Sequence, residues 1–216
     1  MLATVVSALK SVVRSAVATV GIRTEEQPPY TVVDRVAAVE IRRYGARLAA
    51  KIEIEAGDER RPANAAFRAL ARYFGGANRT KPARGTASGR HGSERLDMTA
   101  PVQMTRGGAR TVMRFFMPKG YTRDSAPEPA DRRVRVVAVP EETLAVLRFS
   151  GRMRASAFAT QAETLAAALE GSSWVVSGDP AALIYDPPWT LPFLRRNEVA
   201  VPVAPAADGA AAASPS

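Results

Sequence analysis

The stretch YTVVDRVAAVEIRRYGARLAAKIEIE, residues 30–55, sets the fold because its apolar residues partly alternate with polar ones. Alternation is typical of strands with one buried face, and this stretch is long enough for two or three of them. A helix is predicted next, over 63–75. Its apolar residues Phe67, Leu70, Ala71 and Phe74 recur at helical spacing. Gly75–Gly76 ends the helix. We expect Phe67, Leu70 and Phe74 to lie in the core.

The same order of elements then recurs along the chain. Strands are predicted at 98–104 and 111–118, a hairpin from 134–140 and 143–151, a helix at 155–170, and strands at 174–176, 181–185 and 198–203. The two halves share almost no sequence identity. We therefore predict an α+β fold: duplicated β-β-α-β-β halves forming a distorted antiparallel β-barrel or sheet flanked by two helices, with a cleft at the seam.

The two ends of the chain differ from this pattern. Residues 1–24 are predicted to form an amphipathic N-terminal helix with Lys10 and Arg14 on its polar face and no acid before Glu25. Such a helix packs either on the domain itself or on a membrane surface, through residues 1–23. The domain is predicted over 25–203, and 204–216 as a disordered Ala/Pro-rich tail. The predicted location is cytoplasmic, with membrane association left open.

Composition excludes several kinds of site. There is no cysteine, so disulfides and thiolate chemistry are absent, and His91 is the only histidine. A Ser-His-Asp triad and a zinc site of several histidines are thereby excluded, and no metal site is predicted. Lys and Arg number 30 against 21 acids, for a net charge of +9, which attracts anions. The arginines are spread along the chain and no nucleic-acid motif is present, so we predict no nucleic-acid partner.

Several motifs in order resemble those of the SOUL/heme-binding protein family. The resemblance covers about residues 30–203 and rests on these segments: the opening YTVVDRVAAVEIRRYG (30–45), YFGGAN (73–78), DMTAPVQM (97–104), VMRFFMPKGY (112–121), LRFSG (147–151) and RRNEVAV (195–201). It implies a distorted barrel with two helices that binds heme or a related porphyrin as its ligand. It implies binding without catalytic residues, so we predict a monomeric binding protein and not an enzyme.

The resemblance also implies where the ligand binds. The family's pocket lies near the first helix and the loop before the last strand, here 63–75 and 186–196. Trp189, Leu191 and Phe193 are the predicted apolar wall. Arginines grip propionates through paired charge-assisted hydrogen bonds; the candidates are Arg195 and Arg196, or Arg68 and Arg72. His91 is a candidate iron ligand, but its Gly/Ser/Arg-rich surroundings fit an idle, exposed histidine equally well.

Two other functions are compatible with the same fold. A sensor of hydrophobic cations needs a buried carboxylate facing the cleft, with Glu40, Glu53 or Glu55 as candidates. A hydrolase or tetrapyrrole-processing enzyme needs a glutamate beside a tyrosine in the cleft, for which Glu53 with Tyr44 or Tyr185 is conceivable.

Overall fold

The computed structural model describes residues 24–55, 60–81, 92–107 and 110–206, with only the backbone at 60–62. The helices are α1 (Arg60–Phe74) and α2 (Ala155–Leu169), and a 3₁₀ turn spans Pro192–Leu194. The strands are β1 (Tyr30–Val36), β2 (Val39–Tyr44), β3 (Arg47–Glu55), β4 (Asn78–Arg79), β5 (Val102–Gly107), β6 (Arg110–Phe116), β7 (Glu128–Pro129), β8 (Arg135–Val139), β9 (Glu142–Phe149), β10 (Trp174–Val176), β11 (Ala181–Ile184) and β12 (Asn197–Pro205).

Both domain helices and the principal strands were predicted, with shifted ends. The strand predicted at 98–104 begins only at Val102. At the other end, β12 runs to Pro205, two residues into the predicted tail. The helix predicted at 1–24 and the remainder of the tail lie outside the described residues, apart from Thr24 and Ala206.

The sheet has a strand order that pairs the two halves of the chain. Its order is β1-β2-β9-β12-β11-β5-β6-β3-β8, all antiparallel, and β10 pairs with the end of β12. From β2 onward the strand order has a twofold pseudo-symmetry. It relates β2, β3, β5 and β6 of the first half to β8, β9, β11 and β12 of the second half, respectively. The α+β class and the curled antiparallel sheet with two helices are confirmed; the duplication stays a prediction.

The predicted hairpin of 134–140 and 143–151 is wrong. Its two strands exist, but β8 pairs with β3, and β9 pairs with β2 and β12. Each strand follows its core: Val136 of β8 packs below α1, whereas Ala145 and Leu147 of β9 pack below α2. A two-residue connection therefore joins strands far apart in the sheet, which requires the sheet to curl into a half-barrel.

Both helices cover the convex face of the curled sheet. Leu70 and Phe74 of α1 are buried against β3 and β6, as predicted, and Leu165 and Leu169 of α2 are buried against β9 and β12. Phe67 was also predicted to lie in the core, and this prediction is wrong. It is 43% exposed and packs edge-on against Phe115, with ring centroids 5.3 Å apart.

The concave face carries a separate set of side chains, because alternate residues of each strand point away from the helices. Its apolar members form a cluster of their own: Tyr44, Ala100, Leu144, Val146, Leu183, Tyr185 and Ala200. Charged residues of β2, β3 and β12 lie among them. The fold thus offers two different surfaces for a ligand, the polar concave face and the loops outside the sheet.

Candidate functional site

The loop between β11 and β12 exposes a run of large apolar side chains. Their exposed fractions are 58% for Trp189, 41% for Leu191, 70% for Phe193 and 37% for Leu194. These four residues are called the loop patch below. Large apolar side chains clustered on a surface mark an interaction site more often than scattered ones do. Three of the four are the predicted apolar wall, and they do not cap the core.

Hydrogen bonds hold this loop in one shape. The Leu194 amide donates to the Leu191 carbonyl (2.9 Å), and the Gly151 amide donates to the Pro192 carbonyl (2.8 Å). Arg195 donates through Nε to the Thr190 carbonyl (2.8 Å) and through Nη2 to the Pro188 carbonyl. The loop patch is therefore held outward by the backbone that carries it. Arg195 serves first as a brace for that backbone.

The neighbouring Arg196 belongs to the concave face. Its Nε and Nη2 donate to Oε1 of Glu198 at 2.8 and 2.7 Å, and its guanidinium stacks on Tyr185, 3.9 Å from the ring centroid. Arg195 bonds to carbonyls of the loop, whereas Arg196 bonds to Glu198, so the two arginines do not form one cationic pair.

Arg68 and Arg72 lie together on α1. They flank an open depression of about 480 Å³ that is completed by Ala71, Gly75 and Ala77. This depression and the loop patch are on different elements, and no hydrogen bond or ion pair of the described residues joins them. His91, the candidate iron ligand, lies outside the described residues. No cluster of three or more possible metal ligands occurs in the described part of the chain.

The centre of the concave face is a buried carboxylate, Glu198. It has no exposed surface and accepts five hydrogen bonds. Arg42 donates to both oxygens (2.9 and 3.2 Å), Arg196 donates twice, and the Tyr185 hydroxyl donates at 2.8 Å. Both oxygens are thus occupied by donors, two of which carry positive charge.

This network raises the pKa of Arg42, Arg196 and Tyr185. Burial acts to lower the pKa of Arg42, but the hydrogen bonds and charge of Glu198 outweigh it and hold that pKa above its usual value. Burial, and then the charge of Glu198, raises the pKa of the Tyr185 hydroxyl. The physical result is a fixed charge distribution of two guanidinium ions, one carboxylate and a neutral phenol at ordinary pH.

The carboxylates considered for a cation site are not at the centre of the concave face. Glu53 is on the rim, where it pairs with Lys51 and Arg135 at 2.9 Å each, and Glu55 is exposed. Glu40 pairs with Arg35 and Arg42. None of the three candidates for a buried carboxylate, Glu40, Glu53 and Glu55, is therefore buried. The fully buried acid is Glu198, which stands in a strand whose other residues are mostly apolar.

The cleft on the concave face is narrow. Its lining consists of Gln27, Pro28, Tyr30, Tyr44, Arg47, Pro101, Gln103, Phe116, Glu142, Leu144, Leu183 and Tyr185. Its cavity volume is about 10 Å³. That is room for about one water molecule. A porphyrin cannot enter it in this conformation.

Comparison with known proteins identifies the class. The family model described as SOUL heme-binding protein matches residues 25–202, so the chain belongs to this family. No match was found among curated proteins. No helix within the described residues is long and apolar enough to cross a membrane.

Similar solved structures share the fold at low sequence identity. The C-terminal domain of EcmrR is 10% identical over 82% of this chain and 99% of that domain, with a TM-score of 0.57. An uncharacterized conserved protein from Listeria innocua is 11% identical over 83% and 93%, with a TM-score of 0.53. A hydrolase from the same organism is 12% identical over 77% and 91%, with a TM-score of 0.51.

Proposed function

We propose that this protein binds heme or a related porphyrin on the loop patch, outside the curled sheet. The observation that carries the proposal is the exposure of four large apolar side chains on one braced loop. A porphyrin is a flat apolar disc, and covering a few hundred Å² of apolar surface at about 25 cal/mol per Å² yields several kcal/mol before association costs. Because the loop is already ordered, little of that is spent on ordering it.

The edge of the disc needs cations for its propionates. Arg195 keeps part of its guanidinium unengaged beside the loop patch. The exposed Arg152 follows Gly151, whose amide is bound to the loop at Pro192. Arg152 was not among the predicted residues, because only the folded backbone brings the 150–152 turn to this loop. Arg196 is committed to Glu198, which leaves Arg195 and Arg152 as the proposed partners here.

The concave face does not favour the two alternative functions. A cation sensor needs a carboxylate with free negative charge, whereas Glu198 is already balanced by Arg42 and Arg196. An enzyme of the kind considered needs a glutamate able to accept a proton. Glu198 does lie beside Tyr185, but both of its oxygens are already engaged. We propose a monomeric cytoplasmic binding protein that transports, buffers or senses a tetrapyrrole.

Titration with hemin and, separately, with metal-free protoporphyrin tests the proposal. Each is followed by absorbance of the Soret band, for the wild type and for His91→Ala. We expect saturable one-to-one binding of both porphyrins, unchanged by the substitution, because the apolar surface supplies the free energy. Binding of hemin alone that disappears in His91→Ala would replace the loop patch by an iron-ligand site. Absence of saturable binding of either porphyrin would end the proposal.

A second prediction separates the two sets of arginines. Arg152→Gln is expected to weaken hemin binding about two- to fivefold, as loss of one exposed ion pair does. Arg68→Gln with Arg72→Gln leaves it unchanged if the disc lies on the loop patch. The measurement is the same Soret titration, repeated at high salt, where the Arg152 effect shrinks. The opposite ranking of the variants would move the ligand to the depression on α1.

A further inference from the structure

Buried polar atoms without a partner are concentrated on one part of the concave face. Among the described residues, four buried side-chain atoms have no hydrogen-bond partner: Arg47 Nε, Gln103 Oε1, Thr105 Oγ1 and Arg114 Nε. They belong to β5, β6 and β3, which are neighbours in the sheet. Gln103 is only 7% exposed and is directly opposite Arg114 across the β5–β6 pairing. Orphaned groups of this kind are rare in folded proteins and cost stability.

The residues around these atoms are on one surface. Arg47 and Gln103 line the concave cleft, together with Phe116. Arg114 is two residues before Phe116, and Thr105 is two residues after Gln103. Strand alternation therefore places Arg114 on the same face as Phe116, and Thr105 on the same face as Gln103. The four side chains therefore lie on the concave face of three adjacent strands, and two of them line the cleft.

One of the two arginines in this region lacks an acidic partner within the described part of the chain. Arg47 pairs with Glu142, while Arg114 makes no ion pair with any described residue. Burial lowers the pKa of Arg47, and the nearby charge of Arg114 lowers it further against the effect of Glu142. The other half of the concave face differs, since Glu198 balances its arginines there. Arg47 thus has one part-exposed carboxylate as its partner, and the guanidinium of Arg114 has none among the described residues.

We propose that the concave cleft binds a small hydroxycarboxylic acid. Its carboxylate accepts hydrogen bonds from Arg47 and Arg114, and its hydroxyl donates to Gln103, with Thr105 beside them. The orphaned set matches this chemistry, because it consists of two cationic donors, one acceptor and one hydroxyl. The apolar part of the acid contacts Phe116 and Leu183.

The cleft has room for about one water molecule in this conformation, so even a small acid enters only when the cleft widens. Entry requires movement of the segment 24–29, since Gln27 and Pro28 line the cleft. This segment is held by few bonds: the Ala100 amide donates to the Glu26 carbonyl (2.9 Å), the Lys119 amide donates to the Glu26 side chain (2.8 Å), and Arg196 donates to Gln27 (3.3 Å). The site is separate from the loop patch, so it holds or fails independently of porphyrin binding.

Lactate and its neutral analogue lactamide are suitable probes for the full-length protein. In ¹H–¹⁵N NMR titrations at fixed ionic strength, lactate is expected to shift amides of β3, β5 and β6 saturably, and lactamide is not. Arg114→Met and Gln103→Leu should each weaken lactate binding about tenfold or more. Arg110→Met is the matched control: it changes the same residue type at an exposed position of the same strand and should leave binding unchanged.

A thermal unfolding midpoint distinguishes loss of the site from loss of the fold. Arg114→Met removes a partly buried charge that has no acidic partner, so its midpoint should equal or exceed that of the wild type. Equal effects of lactate and lactamide, unaltered lactate binding in Arg114→Met, shifts confined to exposed arginines, or no saturable shift at all would each overturn the proposal. Hemin titration of Arg114→Met should match the wild type whichever result is obtained.

Discussion

Replacement of Glu198 by alanine is expected to lower the free energy of unfolding by about 3–5 kcal/mol, the usual cost of removing one partner from a buried ion pair. The reason is the set of donors that remains. The Tyr185 hydroxyl loses its acceptor and Arg196 keeps only Gln27 for its side chain, while Arg42 keeps Glu40. Chemical denaturation at neutral pH, followed by circular dichroism, measures the change.

Two controls show whether the loss comes from buried charge. Asp131→Ala removes the partner of the exposed Arg133 and should cost only about 0–1 kcal/mol. The triple variant Glu198→Leu, Arg42→Met and Arg196→Met replaces the whole network by apolar side chains and should recover most of the lost stability. If Glu198→Ala unfolds at the same denaturant concentration as the wild type, the network does not stabilise the fold.

Local sequence patterns were sufficient for the elements but not for their pairing. Helical spacing predicted α1 and α2, and alternation predicted most strands, because both signals depend on residues close together in the sequence. The failed hairpin of β8 and β9 shows the limit. Strands joined by two residues usually pair, yet here each joins a different core, and only the complete sheet decides which pairing buries more apolar surface.

The sequence resemblance singled out the loop 186–196, whose role as a ligand site stays a prediction, and it did not indicate the concave network. Trp189, Leu191 and Phe193 come from one short segment, so a local motif was enough to select them. Glu198, Arg42 and Tyr185 come from three separate strands and meet only when the sheet curls. A signal was available in NEVAVPV (197–203), where a charged residue stands at the start of an apolar strand, since such a residue is rarely buried without a partner.

The two surfaces differ in how much of their free energy is available to a ligand. The concave arginines Arg42 and Arg196 are already satisfied by Glu198, so a ligand there would have to compete with internal hydrogen bonds. The loop patch has no such competition, because its apolar side chains contact water and gain on being covered. This difference is why the porphyrin is assigned to the loop patch and only a small acid to the cleft.

The double substitution Trp189→Ser and Phe193→Ser should therefore produce the largest loss of porphyrin affinity. Aromatic anchors at interfaces contribute about 2 kcal/mol or more each, so we expect hemin binding to weaken about a hundredfold or more. Stability should change by no more than about 0.5 kcal/mol, because both side chains are exposed. Soret titration gives the affinity, and denaturation gives the stability.

The matched control for this variant is Val175→Thr with Val176→Thr, which makes two other exposed apolar side chains polar on β10. Its hemin affinity should remain that of the wild type, since general surface hydrophobicity changes in the same direction in both variants. Protoporphyrin should follow hemin in each case, because the loop patch contacts the ring and not the iron. Equal losses in the two variants would mean nonspecific adsorption, and retention of affinity in Trp189→Ser, Phe193→Ser would exclude the loop patch as the porphyrin site.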